Sequence, residues 1–117
     1  MKNIYHRFPN IPIQIEYRVG CNARENTLLI NESNANDIWF HAADHSSCHV
    51  IARMPQTTLT KKQVNTIIKM GCVLCKQHTS KLKSEKNIEF NYTKVKYISP
   101  TDVDGVVQTE NLKSYRH

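Results

Sequence analysis

The sequence predicts an α+β domain: a mostly antiparallel β-sheet with one main helix, at about residues 60–78, packed on one face. Three observations carry that expectation. Alternation with a period of two recurs in short segments separated by polar, turn-rich stretches. The segment from Thr60 to His78 instead carries the 3.6-residue period of an amphipathic helix. The chain has 117 residues, 39% hydrophobic and 22% charged, which suits one domain over residues 1–117 with a single modest core.

The elements follow in order. In IPIQIEYRV, Ile11, Ile13, Ile15 and Tyr17 fall on one face and Pro12, Gln14, Glu16 and Arg18 on the other. That is a half-buried strand, with Pro12 at its start or on an edge. GCNAREN reads as a loop. TLLI (27–30) reads as a short strand, or as a helical turn opening after Asn26, and NESNAND as a polar connection. DIWF and CHVIARM read as strands flanking HAADHSS, with Val50, Ala52 and Met54 alternating against His49, Ile51 and Arg53. The segment between them is a turn, because Asp and Ser bond well to local backbone. Thr60 and Gln63 have capping-box spacing, and Val64, Ile67, Ile68, Gly71, Cys72 and Cys75 then share one helix face. IEFNYTKVKYI is a long strand with a fault: Ile88, Phe90 and Tyr92 share one parity, Val95 and Tyr97 the other. A bulge or break near Thr93–Lys94 reconciles them. After the SPTDVDG loop, VVQT and LKSY around ENL suggest a last hairpin.

No apolar run approaches the roughly 20 residues of a membrane helix, and MKNIYHRFPN has no apolar signal core. A cytoplasmic setting is therefore expected, with Cys21, Cys48, Cys72 and Cys75 as free thiols. The Cys72–Cys75 spacing matches half of a zinc site, but no second CxxC completes it and both thiols lie on the core stripe. No cofactor and no bound metal are expected. The net charge of +6 favours a polyanionic partner.

The chemistry-bearing residues concentrate in NDIWFHAADHSSCHVIARMP, Asn36 to Pro55. A catalytic reading would assemble His41, Asp44 and His45 with Ser46 or Ser47 as nucleophile, but no G-x-S-x-G elbow is present. Cys48 and His49, adjacent on a strand, point to opposite faces. A metal reading would use His41, Asp44 and His49, at loose spacing. A nucleic-acid reading has more support. Arg18, Arg24 and Arg53 suit phosphate contacts. Lys81, Lys83 and Lys86 form a basic cluster; Lys94 and Lys96 alternate on one strand face; Lys62, Lys69 and Lys76 form a helical stripe. Histidines and serines offer neutral donors to phosphates and 2′-hydroxyls. Trp39 either stacks on a base or is buried.

Those residues resemble the NFACT RNA-binding domain family. Val19, Gly20, Glu25, Asn26 and Leu29 match its V-G-x-x-x-x-E-N-x-x-L stretch. Asp37, Ile38, Trp39, Phe40, His41, Ala42, Asp44, His49, Val50 and Arg53 match D-I-W-F-H-A-x-D-x-x-x-x-H-V-x-x-R. Ser80, Lys81, Tyr92, Thr93, Val95 and Lys96 match later segments, and Gly105-Val106-Val107 looks like a terminal G-x-V hairpin. The resemblance covers about residues 11–117 and leaves 1–10 as an N-terminal extension. Two departures stand out. Ser46-Ser47-Cys48-His49 replaces the common P-G-S-H, and the acidic SPTDVDG replaces a basic loop.

The resemblance implies RNA binding linked to translation. In large members this module is the C-terminal part of ribosome quality-control factors that recruit tRNA to the blocked large subunit. Their other domains are not present in this sequence, so a stand-alone domain is expected. The expected function is a non-catalytic RNA-binding module for tRNA or ribosomal RNA, with the ribosome as a candidate partner, DNA as another candidate polyanion, and no membrane. The candidate RNA-binding residues are Arg18, Arg24, Asn26, His41, Asp44, Ser47, His49, Arg53, Lys81, Lys83, Lys94 and Lys96. The rival readings are a protein-interaction module docking on a ribosomal or quality-control partner, and a small metal-dependent enzyme.

Overall fold

A computed structural model describes all 117 residues. In chain order the elements are β1 (Lys2–His6), β2 (Ile15–Gly20), α1 (Ala23–Asn31), β3 (Ile38–Ala42), β4 (His49–Ala52), α2 (Lys61–Gln77), β5 (Glu89–Lys94), β6 (Ile98–Pro100), β7 (Val107–Thr109) and β8 (Lys113–Arg116). Six strands make one antiparallel sheet in the order β1-β2-β4-β3-β5-β8, and β6 and β7 pair as a separate ribbon. The α+β class is as the sequence predicts, with a second helix and an added edge strand.

The helix α2 starts where its capping box places it. The Thr60 hydroxyl accepts from the Gln63 amide at 3.1 Å, and the Gln63 side chain accepts from the Thr60 amide at 2.8 Å. Its stripe of Ile67, Ile68, Gly71, Cys72, Leu74 and Cys75 is buried. It meets Ile15, Tyr17, Val19, Ile38, Phe40, Ala42, Val50, Ala52 and Phe90 from one face of the sheet. Gly71 is required by a close approach: a Cβ there would lie 2.2 Å from the Phe40 ring. The CxxC thiols are core groups, as their place on the stripe predicts.

On the opposite face α1 packs against β2, β4 and β6. There Leu29 and Ile30 meet Trp39, Ile51, Val95 and Ile98 in a smaller cluster. Trp39 is buried. The sequence reading made residues 20–26 a loop, but the helix opens at Ala23. Asn22 caps it, accepting from the Glu25 amide at 2.9 Å, while the Glu25 carboxylate accepts from the Cys21 amide at 2.9 Å.

Three other expectations change. Residues 1–10, set apart as an extension, supply β1, paired along β2 from Lys2↔Val19 to His6↔Ile15. Strand β2 begins only at Ile15, so Ile13 is exposed although Ile11 is buried. The final hairpin does not form: β7 pairs with β6 and β8 with β5. The physical reason is the break after Lys94. Val95–Tyr97 form a 3₁₀ turn that sends the chain into the second layer, and Asn111 (φ 55°) turns it back to the sheet edge. That turn also takes Lys94 and Lys96 off a common strand face.

Candidate nucleic-acid interface

Alternation along β3 and β4 sends Ile38, Phe40, Val50 and Ala52 to α2, and Trp39, His41, His49 and Ile51 to the α1 face. The three rings form one unit. Trp39 and His41 stack at 5.6 Å with 4° between their planes, and His49 stands edge-on to both at 5.4 and 4.9 Å. The Trp39 indole N–H donates to His49 Nδ1 at 3.1 Å. With Nδ1 accepting, a neutral His49 carries its proton on Nε2.

The β3–β4 turn is tied to the end of α2. Asp44 holds a left-handed conformation (φ 58°), which Asp tolerates better than most residues. Ser47 Oγ accepts from the Ala42 amide at 3.0 Å and donates to the Cys48 carbonyl at 3.0 Å. The Cys48 amide donates to Thr79 Oγ1 at 3.0 Å, which donates to the Cys75 carbonyl at 2.8 Å. A 3₁₀ turn at Ser80–Leu82 then places Ser80 and Lys81 at the rim.

These segments enclose a cleft of about 720 Å³. Asn22, Ala23 and Asn26 of the α1 N-terminus line one side, and His41, Ser46, Ser47, Cys48 and His49 another. His78–Lys81 and the Asp104–Val106 loop complete it. Gly20 lets α1 sit close to β2, since a Cβ there would lie 2.5 Å from Asn26 Oδ1. Asn26 is 6% exposed, and its Oδ1 is the one buried side-chain polar atom without a hydrogen-bond partner. The first amides of α1 lack intrahelical acceptors by helix geometry, which leaves partial positive charge at this lip.

The histidines act here as neutral groups. Burial, with His41 beside it, pushes His49 down to about 3. Burial also lowers His41, helped by His45 and Lys81, against a hydrogen bond to Ala42 that raises it. His78 is lowered by burial and by Lys2 and Lys83. Near neutral pH the cleft thus offers uncharged imidazoles, a helix N-terminus and the Lys81 ammonium. That set suits a phosphate and its ribose.

The structure therefore gathers Asn26, His41, Ser47, His49 and Lys81, with exposed Arg24 in the adjoining helical turn. It does not gather the rest. Asp44 is an exposed turn residue outside the lining, and Lys83 follows the 3₁₀ turn, exposed. Arg18 pairs with Glu16 at 3.3 Å and Glu32 at 3.5 Å. Arg53 Nε lies 3.0 Å from Asp37, which is 1% exposed and also accepts from the Asn34 and Met54 amides. Lys94 lines a separate groove with Lys113, Tyr92 and Tyr97, and Lys96 sits over the Tyr97 ring at 5.3 Å. No three His, Cys, Asp or Glu side chains are grouped to hold a metal ion. Asn22, His78 and Thr79 were missed by sequence reading. Only Asn22 had a readable signal, its capping spacing to Glu25.

A basic domain with such a cleft has the constitution of a polyanion-binding module. Residues 16–110 match the model for the NFACT protein RNA binding domain. The chain belongs to the NFACT RNA-binding domain family, which supports an RNA-binding role. Among solved structures it is similar to the C-terminal part of the fibronectin/fibrinogen-binding protein from Streptococcus suis, at 18% identity and a TM-score of 0.74. The match covers 87% of this chain and 40% of that one, and it establishes the shared fold. The comparison with curated proteins finds no match.

Proposed function

We propose that this protein is a non-catalytic RNA-binding module of the cytoplasm that contacts tRNA or ribosomal RNA in ribosome-associated quality control. The observation that carries the RNA reading is the convergence of His41, Ser46, His49 and Lys81 beside the α1 N-terminus in one cleft. Lys81 and the helix amides take a phosphate. Half-buried His41 and exposed Ser46 on the same lining offer hydrogen-bond partners to a 2′-hydroxyl, the group that separates RNA from DNA. Trp39 supports the ring unit from within rather than stacking on a base. A hydrolytic role finds less support, since the Ser47 hydroxyl is engaged by backbone groups and by no histidine. The translation link rests on family resemblance alone.

The test is anisotropy of labelled tRNA over a salt series, with duplex DNA of equal length as competitor. The expected result is saturable binding that prefers tRNA and weakens linearly in log–log salt, by roughly 0.7–0.9 of a unit per phosphate contact. Equal competition by DNA would remove the 2′-hydroxyl contact given to His41 and Ser46. No saturable binding at low salt would overturn the RNA reading and leave protein docking on a ribosomal partner in its place.

A further inference from the structure

Two of the four thiols face each other at the cleft. Cys21 Sγ and Cys48 Sγ are 3.4 Å apart, Cys21 exposed and Cys48 buried. The backbone places them there. The β2–β4 register runs Tyr17↔Ala52, Arg18↔Ile51, Val19↔Val50 and Gly20↔His49, so the next opposed pair is Cys21 and Cys48. The Arg53 amide donates to the Glu16 carbonyl, which makes 16 and 53 a hydrogen-bonded pair. Alternation then makes 21 and 48 a non-hydrogen-bonded pair, where Cα atoms lie about 4.5 Å apart. Their amides agree, bonding to the Glu25 and Thr79 side chains and not across the pair. That spacing falls within the roughly 4.4–6.8 Å that a disulfide spans, so only side-chain rotation is needed to reach an S–S bond of about 2.05 Å. Cys72 and Cys75 are fully buried in the core, one turn apart on α2.

We infer that Cys21 and Cys48 are an oxidisable pair whose reversible disulfide ties the α1 N-terminus to the β3–β4 turn and so restricts the cleft. With hydrogen peroxide as oxidant, Cys21 sulfur takes one oxygen, giving a sulfenic acid and one water. Cys48 sulfur then attacks Cys21 Sγ, the S–O bond breaks, and the leaving hydroxide takes the Cys48 proton as a second water. Two thiols and one peroxide become one disulfide and two waters. A thiol reductant reverses the bond by exchange. Cys21 reacts first because it is exposed. Burial, with hydrogen bonding and charge from Cys21, pushes the Cys48 thiol up to about 11, which suits the resolving partner better than the first nucleophile. The bond also withdraws the Cys48 thiol from the His78 carbonyl, 2.9 Å away at the end of α2. The consequence for RNA rests on the reading above; the disulfide itself does not.

The whole chain is treated with peroxide, remaining thiols are alkylated, and intact mass and linked peptides are read. The expected product is a monomer lighter by two hydrogens with Cys21 joined to Cys48, restored by reductant and absent from Cys21→Ser. A Cys72–Cys75 link, an intermolecular dimer, or Cys21 oxidised without linkage to Cys48 would overturn the pair. Labelled RNA then reads the cleft: oxidation should weaken binding at least about fivefold, reversibly, while Cys21→Ser, whatever its starting affinity, should not respond. A mapped disulfide with unchanged affinity would overturn the restriction. Failure of RNA binding in the reduced protein strikes the functional reading and leaves the mass result standing.

Discussion

On one face of the sheet Phe40, Val50 and Phe90 meet the stripe of α2 in a cluster of 18 buried apolar residues, where the Tyr17 hydroxyl donates to the Ile67 carbonyl at 2.9 Å. On the other face the same strands present Trp39, His41 and His49, with only six buried residues gathered around α1. The α2 face can bury enough apolar surface to hold the domain together. The α1 face then tolerates neutral histidines and a buried orphan amide oxygen. Stability and recognition are thus divided across a single layer of backbone, one residue apart in each strand.

The largest expected effect tests the first half of that division. Phe40→Ala should cost about 4 kcal/mol in denaturant unfolding, because it removes the ring against which Gly71 closes and leaves a cavity. The folded fraction should bind RNA as before. A loss below that of a typical surface substitution would show that the α2 face is not the main source of stability.

Arg53→Ala comes next and breaks the comparison where sequence reading drew it differently. Read from its position, Arg53 is a phosphate contact whose loss should weaken binding without unfolding. The geometry makes it the partner of buried Asp37, so its removal leaves a carboxylate facing no cation. The expected cost is about 3 kcal/mol of stability. Unchanged stability with weaker RNA binding would return Arg53 to the interface.

These two substitutions mark what was legible. Helix α2 carries five turns of period and a capping box, so local signals suffice. The β3–β4 hairpin and the fault near Lys94 were readable from parity alone. Helix α1 was not: nine residues bury only Asn26, Leu29 and Ile30, too few to establish a period, and its Asn22–Glu25 cap lay inside a polar run. Strand β1 offers Ile4 and His6 as half-buried positions among exposed ones, because an edge strand has little to bury. The partners of β7 and β8 depend on a change of layer that no local pattern encodes. The site was half legible for the same reason. Histidines and Lys81 stand out by type, whereas the Arg53–Asp37 and Cys21–Cys48 pairings exist only once distant segments meet.

A pH series sharpens the polar side of the division. The folded protein holds His49 down at about 3, well below the ordinary imidazole value of about 6.5. The folded state therefore favours the neutral ring. Its contribution is fully present above about pH 6.5 and is lost as pH falls from there towards the folded value. Between pH 6.5 and pH 5 the stability drawn from His49 should drop by about 2 kcal/mol. In His49→Gln, which does not titrate, that slope should be missing from the unfolding curves. A wild-type slope retained in the variant would assign the acid sensitivity to other groups and leave His49 without its buried neutral role.

The smallest expected effect decides whether the polar face is an interface at all. Lys81 is exposed at the cleft rim and forms no ion pair, so Lys81→Ala should change unfolding free energy by no more than about 0.5 kcal/mol. If its ammonium meets a phosphate, RNA binding should weaken by about 1 kcal/mol, some fivefold, and the log–log salt slope should fall by just under one unit. The slope is the sharper readout, since a general loss of affinity can come from many disturbances while a lost counterion comes from a lost phosphate contact. Lys94→Ala, in the groove at the other end of the sheet, is the matched control of equal charge. Equal slopes for the two variants would mean that RNA spreads over both ends of the domain and that the cleft beside α1 is one contact among several; a change confined to Lys81 would fix the phosphate at the helix N-terminus.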